Sequence, residues 1–237
     1  PAVQQAARHA RSQLIALAIQ QRPAWRGLPE AEFDHRDGML QRGNESVGVA
    51  TILAIASVDH IEGRGEAKLS PEAEKYSCHA FGAQFAEVRI DPLLRTIKVS
   101  RWVGAFDCGK VINAKTARSQ LIGGIVFGMG MALLEETRVD AQTGRILNSN
   151  VAEYMMPVCA DVPDIETIMI EAPDTITTSM GINGIGELPM VGVAAAITNA
   201  VYHAHGVRVR ELPTRRDTPL PSTPAAQGGA PSPPRPT

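Results

Sequence analysis

At 237 residues, 44% of them hydrophobic, the chain holds enough apolar material for one large domain or two small ones and is expected to be globular over most of its length. A formal net charge of −2 leaves no basic footprint for nucleic acid and no basic block for a membrane surface. The three cysteines, Cys78, Cys108 and Cys159, are widely spaced without a CxxC pair, which excludes a thiol-built zinc or iron–sulfur site and predicts buried thiols.

Val3, Ala7, Ala10, Leu14 and Leu17 recur at helical spacing, which predicts an amphipathic helix over residues 2–20 ending before Pro23. The chain enters this pattern directly after Pro1 with no signal peptide, as the C-terminal piece of a longer protein would. His9 is expected on the helix surface. Residues 26–68 give weaker signals: an acidic turn at 34–38, a short helix near 47–54 and a Gly-rich connector at 62–66, together read as irregular packing. Residues 76–90 and 96–106 form a predicted hairpin, its second arm alternating Ile97, Val99 and Val103 on one face, with Asp91-Pro92 starting the turn.

Beyond the hairpin, strand character gives way to helix at Asn113, a good N-cap. The helix it opens contains Gly123, Gly124, Gly128 and Gly130, each costing about 0.5–1 kcal/mol relative to alanine, so close packing must offset them. Its start either points free N–H groups at an anion, with Lys110 and Lys115 adding charge, or presses glycines against a sheet. The longest apolar run, 121–134, is 14 residues, in the range of a core helix and too short to span a bilayer. A turn follows at 138–146 with Gly144 at the bend, then an irregular or short helical segment at 150–158 and a buried strand at 165–170. A helix over 190–204 should stop at Gly206, with His203 and His205 complementing its dipole. Eight prolines within the last 25 residues predict a disordered tail over 214–237, leaving 1–213 as the folded part.

Between the last strand and the last helix lies Thr178-Ser-Met-Gly-Ile-Asn-Gly-Ile-Gly-Glu187. Its three glycines prevent a regular element and suit a backbone lying against a ligand. The segment delivers one carboxylate, Glu187, to the mouth of an apolar helix. Glu187 reads either as a general base or as an acid that charges the helix's first turn. Gly181-x-x-Gly184-x-Gly186 is not the dinucleotide fingerprint.

Five segments, in order, resemble the large molybdenum-binding subunit of the xanthine dehydrogenase and aldehyde oxidase family: His79-Ala-Phe-Gly-Ala-Gln-Phe-Ala-Glu-Val-Arg89, Val111-Ile-Asn-Ala-Lys-Thr-Ala-Arg-Ser-Gln-Leu-Ile-Gly-Gly124, Ala152-Glu-Tyr154, Gly184-Ile-Gly-Glu187 and Val207-Arg-Val-Arg-Glu-Leu-Pro213. The nearest likeness is to bacterial three-subunit aldehyde dehydrogenases of the periplasmic type and to isoquinoline oxidoreductases. The resemblance implies an α+β fold, a mixed sheet with covering helices, forming the later part of a second molybdenum-cofactor-binding domain. It also implies oxidation of an aldehyde or N-heterocycle with oxygen from water, on a molybdenum–molybdopterin cytosine dinucleotide cofactor. Electrons would leave through an iron–sulfur subunit and an FAD subunit, in a bacterial cytoplasm or periplasm.

Matched by position, Lys110, Val111, Ile112, Asn113, Ala114, Lys115, Thr116 and Gln120 correspond to the segment that grips the pterin and its phosphates. Asn183, Gly184, Ile185 and Gly186 correspond to the loop at the molybdenum end. Glu187 corresponds to the base, for which an enclosed apolar setting is expected. Ala114 stands where the family usually has proline, which loses some preorganisation of the helix start. The matched span omits the first cofactor-binding domain, so a cofactor-binding remnant and a purely structural α+β module are the rival readings.

Overall fold

The computed structural model describes residues 1–68 and 71–214. The chain falls into two compact units, one of residues 1–76 with Ile176–Ser179 and one of residues 77–175 with the chain from Met180 onward.

In the first unit, helix α1 (Ala2–Gln21) precedes strands β1 (Asp34–Arg36), β2 (Met39–Arg42) and β3 (Glu45–Gly48) and helix α2 (Val49–Ala56). The strands form an antiparallel meander in the order β1-β2-β3. Its core is Leu14, Ile15, Ala18, Trp25, Phe33, Leu40, Val47 and Ile52. The buried face of α1 is therefore rotated from the expected stripe: Leu14 lies on it, but Val3 is 84% exposed. Residues 26–68 are also more regular than expected. The strands are three or four residues long, too short to display an alternation, but their turns are legible. Arg36 pairs with Met39 across Asp37-Gly38, both at positive φ (52° and 73°), the geometry that an Asp-Gly hairpin turn favours. A second two-residue turn, Gly43-Asn44, joins the paired Arg42 and Glu45.

The second unit holds β4 (Gly82–Ile90), β5 (Ile97–Asp107), α3 (Ala114–Leu133), β6 (Asp164–Ile170), α4 (Leu188–Val191) and α5 (Val193–His205). β5 is central, antiparallel to β4 and parallel to β6, giving the expected mixed sheet. Trp102, Phe106, Leu121, Ile125, Met129, Ile165, Val193, Ile197 and Val201 form its core with their neighbours, so α3 and α5 supply the cover.

The hairpin departs from simple alternation at one point. Pairing passes from Val88↔Val99 to Glu87↔Arg101, leaving Ser100 as an extra residue in β5. This bulge changes which parity faces inward: Val99 is buried before it, Trp102 and Phe106 after it, and Val103 does not share the face of Val99. β6 is an edge strand with only Ile165 buried, and Ile168 and Ile170 remain 46% and 41% exposed, unlike the buried strand expected. Cys108 is buried as expected; Cys78 and Cys159 are exposed.

Two of the glycines of α3, Gly124 and Gly128, are matched to helices rather than to the sheet. A Cβ on Gly124 would sit 2.5 Å from Pro189 Cγ, and one on Gly128 2.5 Å from Val193 Cβ. Glycine here lets α4 and α5 approach closely enough to fill the groove. The helix expected over 190–204 is interrupted at Gly192, which separates α4 from α5. α5 ends as expected at Gly206, in the left-handed region at φ 74°, with His203 and His205 in its last turn. Thr214, where the tail was expected to begin, is buried and donates its N–H to Ala132 O; residues 215–237 lie outside the described residues. No described helix is long and apolar enough to cross a membrane.

Candidate functional site

The parallel neighbours β5 and β6 end side by side, Asp107 opposite Ile170, and Cys108 N extends the pairing to Ile170 O at 3.0 Å. The segment leaving β5 then meets the glycine loop. Gly109 and Ile182 form an antiparallel bridge, Lys110 N donates to Gly181 O at 2.6 Å, and Asn183 N donates to Cys108 O at 3.4 Å. This crossing explains two glycines. Gly109 (φ 57°) leaves no room for a side chain, because a Cβ would meet Gly181 O at 2.6 Å and Asn183 N at 2.8 Å. Gly181 (φ 69°) is pressed against Pro173.

Asp107 is 6% exposed and accepts from both strands of the crossing: Oδ1 takes Gly109 N at 3.0 Å, and Oδ2 takes Asn183 Nδ2 at 2.9 Å. Val111 N donates to Glu171 Oε2 at 3.4 Å. Sequence reasoning passed over both acids because each has a partner 60 or more residues away, Val111 for Glu171 and Asn183 for Asp107; the signal for Asp107 was an acid at the end of an apolar strand two residues before a glycine. Burial, followed by the charges of Asp107 and Glu171, raises the Cys108 thiol above its ordinary range, which keeps it protonated.

Asn113 caps α3 as anticipated. Its side chain accepts from Thr116 N at 3.1 Å, and Thr116 Oγ1 donates back to Asn113 O at 3.2 Å. That leaves the N–H groups of Ala114 and Lys115 without a carbonyl partner inside the helix, at the positive end of a 20-residue dipole. The helix forms from Ala114 without the proline usual in the family, so the cap is sufficient.

These pieces enclose a cavity of about 330 Å³ lined by Cys108, Lys110, Val111, Ile112, Asn113, Thr116, Ala117, Gln120, Ile182, Asn183 and Ile185. Two segments assigned to opposite ends of one cofactor thus share one wall system. Ala114, Lys115, Gly184 and Gly186 flank the lining residues in sequence; Ile182 is an addition. Glu187 does not line the cavity. It is exposed at the N-terminus of α4, two residues beyond Ile185, and its side chain makes no capping hydrogen bond. The enclosed setting expected for it is therefore not formed by the described residues, and neither is a side-chain cap.

The residues present fit a flat, polyanionic cofactor. Its lining combines apolar Val111, Ile112, Ile182 and Ile185 with polar Lys110, Asn113, Thr116 and Gln120, beside the helix N-terminus. Gly184 and Gly186 supply a further sign. Neither lies in the left-handed region, and a Cβ built on either meets nothing within 4 Å, so the chain's own packing does not demand glycine there. A backbone left bare beside open space suits close approach by another group.

Comparison with known proteins agrees. The model of the molybdopterin cofactor-binding domain matches residues 1–163. The aldehyde oxidoreductase molybdenum-binding subunit PaoC of Escherichia coli K12 is 35% identical over 191 residues, which is 81% of this chain and 26% of that protein. The putative xanthine dehydrogenase molybdenum-binding subunit XdhA of the same organism is 37% identical over 178 residues, 74% of this chain and 23% of that protein. The chain therefore spans about a quarter of the length of these curated relatives. In structure it is similar to a Cu,Mo-CO dehydrogenase, with a TM-score of 0.67 at 23% identity over 85% of this chain and 25% of that one, a likeness of fold. Matched by this cofactor-binding domain model over residues 1–163 and related to these subunits over most of its length, the chain belongs to the molybdenum-binding xanthine dehydrogenase family.

Proposed function

We propose that the chain forms the cofactor-holding part of a molybdenum hydroxylase that oxidises an aldehyde or N-heterocycle carbon with oxygen taken from water. The observation that carries this reading is that one cavity gathers residues of both motif segments, Lys110, Asn113, Thr116 and Gln120 from one and Asn183 and Ile185 from the other. When bound, molybdenum–molybdopterin cytosine dinucleotide supplies a two-electron oxidising centre. Lys110, Lys115 and the free N–H groups at the start of α3 favour its anionic phosphates. Val111, Ile112, Ile182 and Ile185 shield its ring system from water, while Thr116, Gln120 and Asn183 offer directional hydrogen bonds. Gly184 and Gly186 keep the loop backbone bare for close approach.

Glu187 follows this loop directly, and its carboxylate would serve as the general base that takes a proton from the water supplying the oxygen, while the hydrogen and electron pair leaving the substrate carbon would pass to the bound cofactor. The named relatives are subunits, which supports assembly with an iron–sulfur subunit and an FAD subunit to carry electrons away. The PaoC likeness favours an aldehyde.

The exposure of Glu187 favours a second reading, in which the chain holds cofactor without acting on substrate. The two separate in a complete molybdenum-binding subunit containing this sequence and assembled with its partners. Glu187→Gln should lower the single-turnover rate of reduction by substrate about 10²-fold or more with molybdenum content unchanged. Reduction at the parent rate removes the base assignment, and a parent complex without molybdenum removes both readings.

A further inference from the structure

We propose that Asp107 is a positioning residue that fixes which atom Asn183 presents to the cavity. An amide can face either way, but an ionised carboxylate oxygen can only accept. Asp107 Oδ2, 2.9 Å from Asn183 Nδ2, therefore holds the Asn183 NH₂ group toward β5. That orientation leaves Asn183 Oδ1, which receives no hydrogen bond from the described residues, as an acceptor in a residue that lines the cavity.

The second oxygen of Asp107 makes the arrangement rigid. Oδ1 accepts from Gly109 N at 3.0 Å, so one buried carboxylate is tied to its own turn and to the crossing loop. Gly109 cannot yield, because its backbone already lies against Gly181 O and Asn183 N. Backbone hydrogen bonds from Lys110 to Gly181 and from Asn183 to Cys108 hold the same crossing. The geometry selects the chemistry of what meets Asn183: a ligand N–H or O–H donor, not a phosphate oxygen. Anion recognition is left to Lys110 and the α3 N-terminus. The ligand part of this inference rests on the cofactor reading; the clamp itself does not.

The test uses two variants. Asp107→Asn keeps the size and an acceptor for Gly109 N, but it removes the charge-assisted bond and lets the Asn183 amide turn over. Asp107→Asn combined with Asn183→Asp restores a donor facing an acceptor, with an acceptor again toward the cavity. In the full chain, hydrogen exchange at the N–H groups of Lys110 and Asn183 should quicken about tenfold or more in the single variant and return to within a few-fold of the parent in the exchanged pair, while β5–β6 amides stay unchanged. In the complete subunit, molybdenum content should fall and recover in the same order. Unchanged exchange at Lys110 and Asn183 overturns the clamp, as does an exchanged pair as defective as the single variant. Loss of protection throughout the sheet reduces Asp107 to a general structural role and likewise overturns the proposal. Exchange that follows the expected order while molybdenum content does not change refutes only the ligand part. A parent subunit that holds no molybdenum counts against the cofactor reading and leaves the exchange result to decide the clamp.

Discussion

Gly123→Ala and Gly128→Ala make the same chemical change on one helix, and the structure gives them opposite signs. At Gly128 the new Cβ would lie 2.5 Å from Val193 Cβ, 2.7 Å from Cγ2 and 3.0 Å from Cγ1. Val193 is fully buried and β-branched, with one strongly preferred rotamer in a helix, so it cannot swing aside. Since carbon pairs rest at about 3.5–4.0 Å, α3 and α5 must part by roughly 1 Å. Overpacking of this kind costs about 1–3 kcal/mol, and alanine's helix propensity offsets about 0.8–1 kcal/mol of it. The net is a loss of up to about 2 kcal/mol. At Gly123 no atom lies within 4 Å, so only the propensity remains and the variant gains up to about 1 kcal/mol. The two variants should therefore differ by about 1–3 kcal/mol, or roughly 2–12 °C in Tm. Thermal and urea unfolding of the full chain followed by circular dichroism measure this, with an unchanged urea slope confirming the same transition. Equal stabilisation by both substitutions would refute the claim that α3 and α5 meet at Gly128.

Three further outcomes are expected. Gly184→Ala should leave thermal stability of the chain unchanged or slightly raised, by about 0.4–1 kcal/mol at most, yet lower molybdenum content of the complete subunit; undiminished metal would show that the bare backbone is not approached by cofactor. The Asp140 carboxyl is held below its ordinary value of 3.8, chiefly by the Thr143 hydroxyl and then by Gln142 N–H. Because the folded value is lowered, its contribution to stability is present above 3.8 and is lost as pH falls through the lowered value, and an NMR titration of Asp140 at or above 3.8 would contradict this. The expectation, from sequence alone, of a Pro-rich tail whose residues 215–237 lie outside the described ones is checked by limited proteolysis, and lasting protection of 220–237 would refute it.

What could be read in advance was local. Asn113 announces a helix start because its side chain serves an N–H three residues on, and Gly206 announces a stop because it supplies a left-handed turn. The β4–β5 hairpin showed itself through its length. The bulge at Ser100 did not, since an extra residue shifts the facing of Trp102 and Phe106 while leaving the composition the same. The small meander in residues 34–48 hid behind strands too short to alternate. In the site, the cavity walls followed from motif residues, but Asp107 is defined by a partner 76 positions away. Glu187 was identified as a chemical type, whereas its exposure depends on which surfaces surround it.

The parallel pairing of β5 with β6 bears on the order in which the site assembles. The chain between these strands contains α3 and the turns after it, and Asn183 meets Asp107 from 76 positions away. Closing such distant contacts carries an entropy cost that local hairpins avoid, so β4–β5 should form early and the cavity late. A nascent chain would then carry a helix cap and a hairpin, but no receptor for a cofactor. Insertion becomes a step performed on a folded protein, and a variant that slows docking of β6 should delay it.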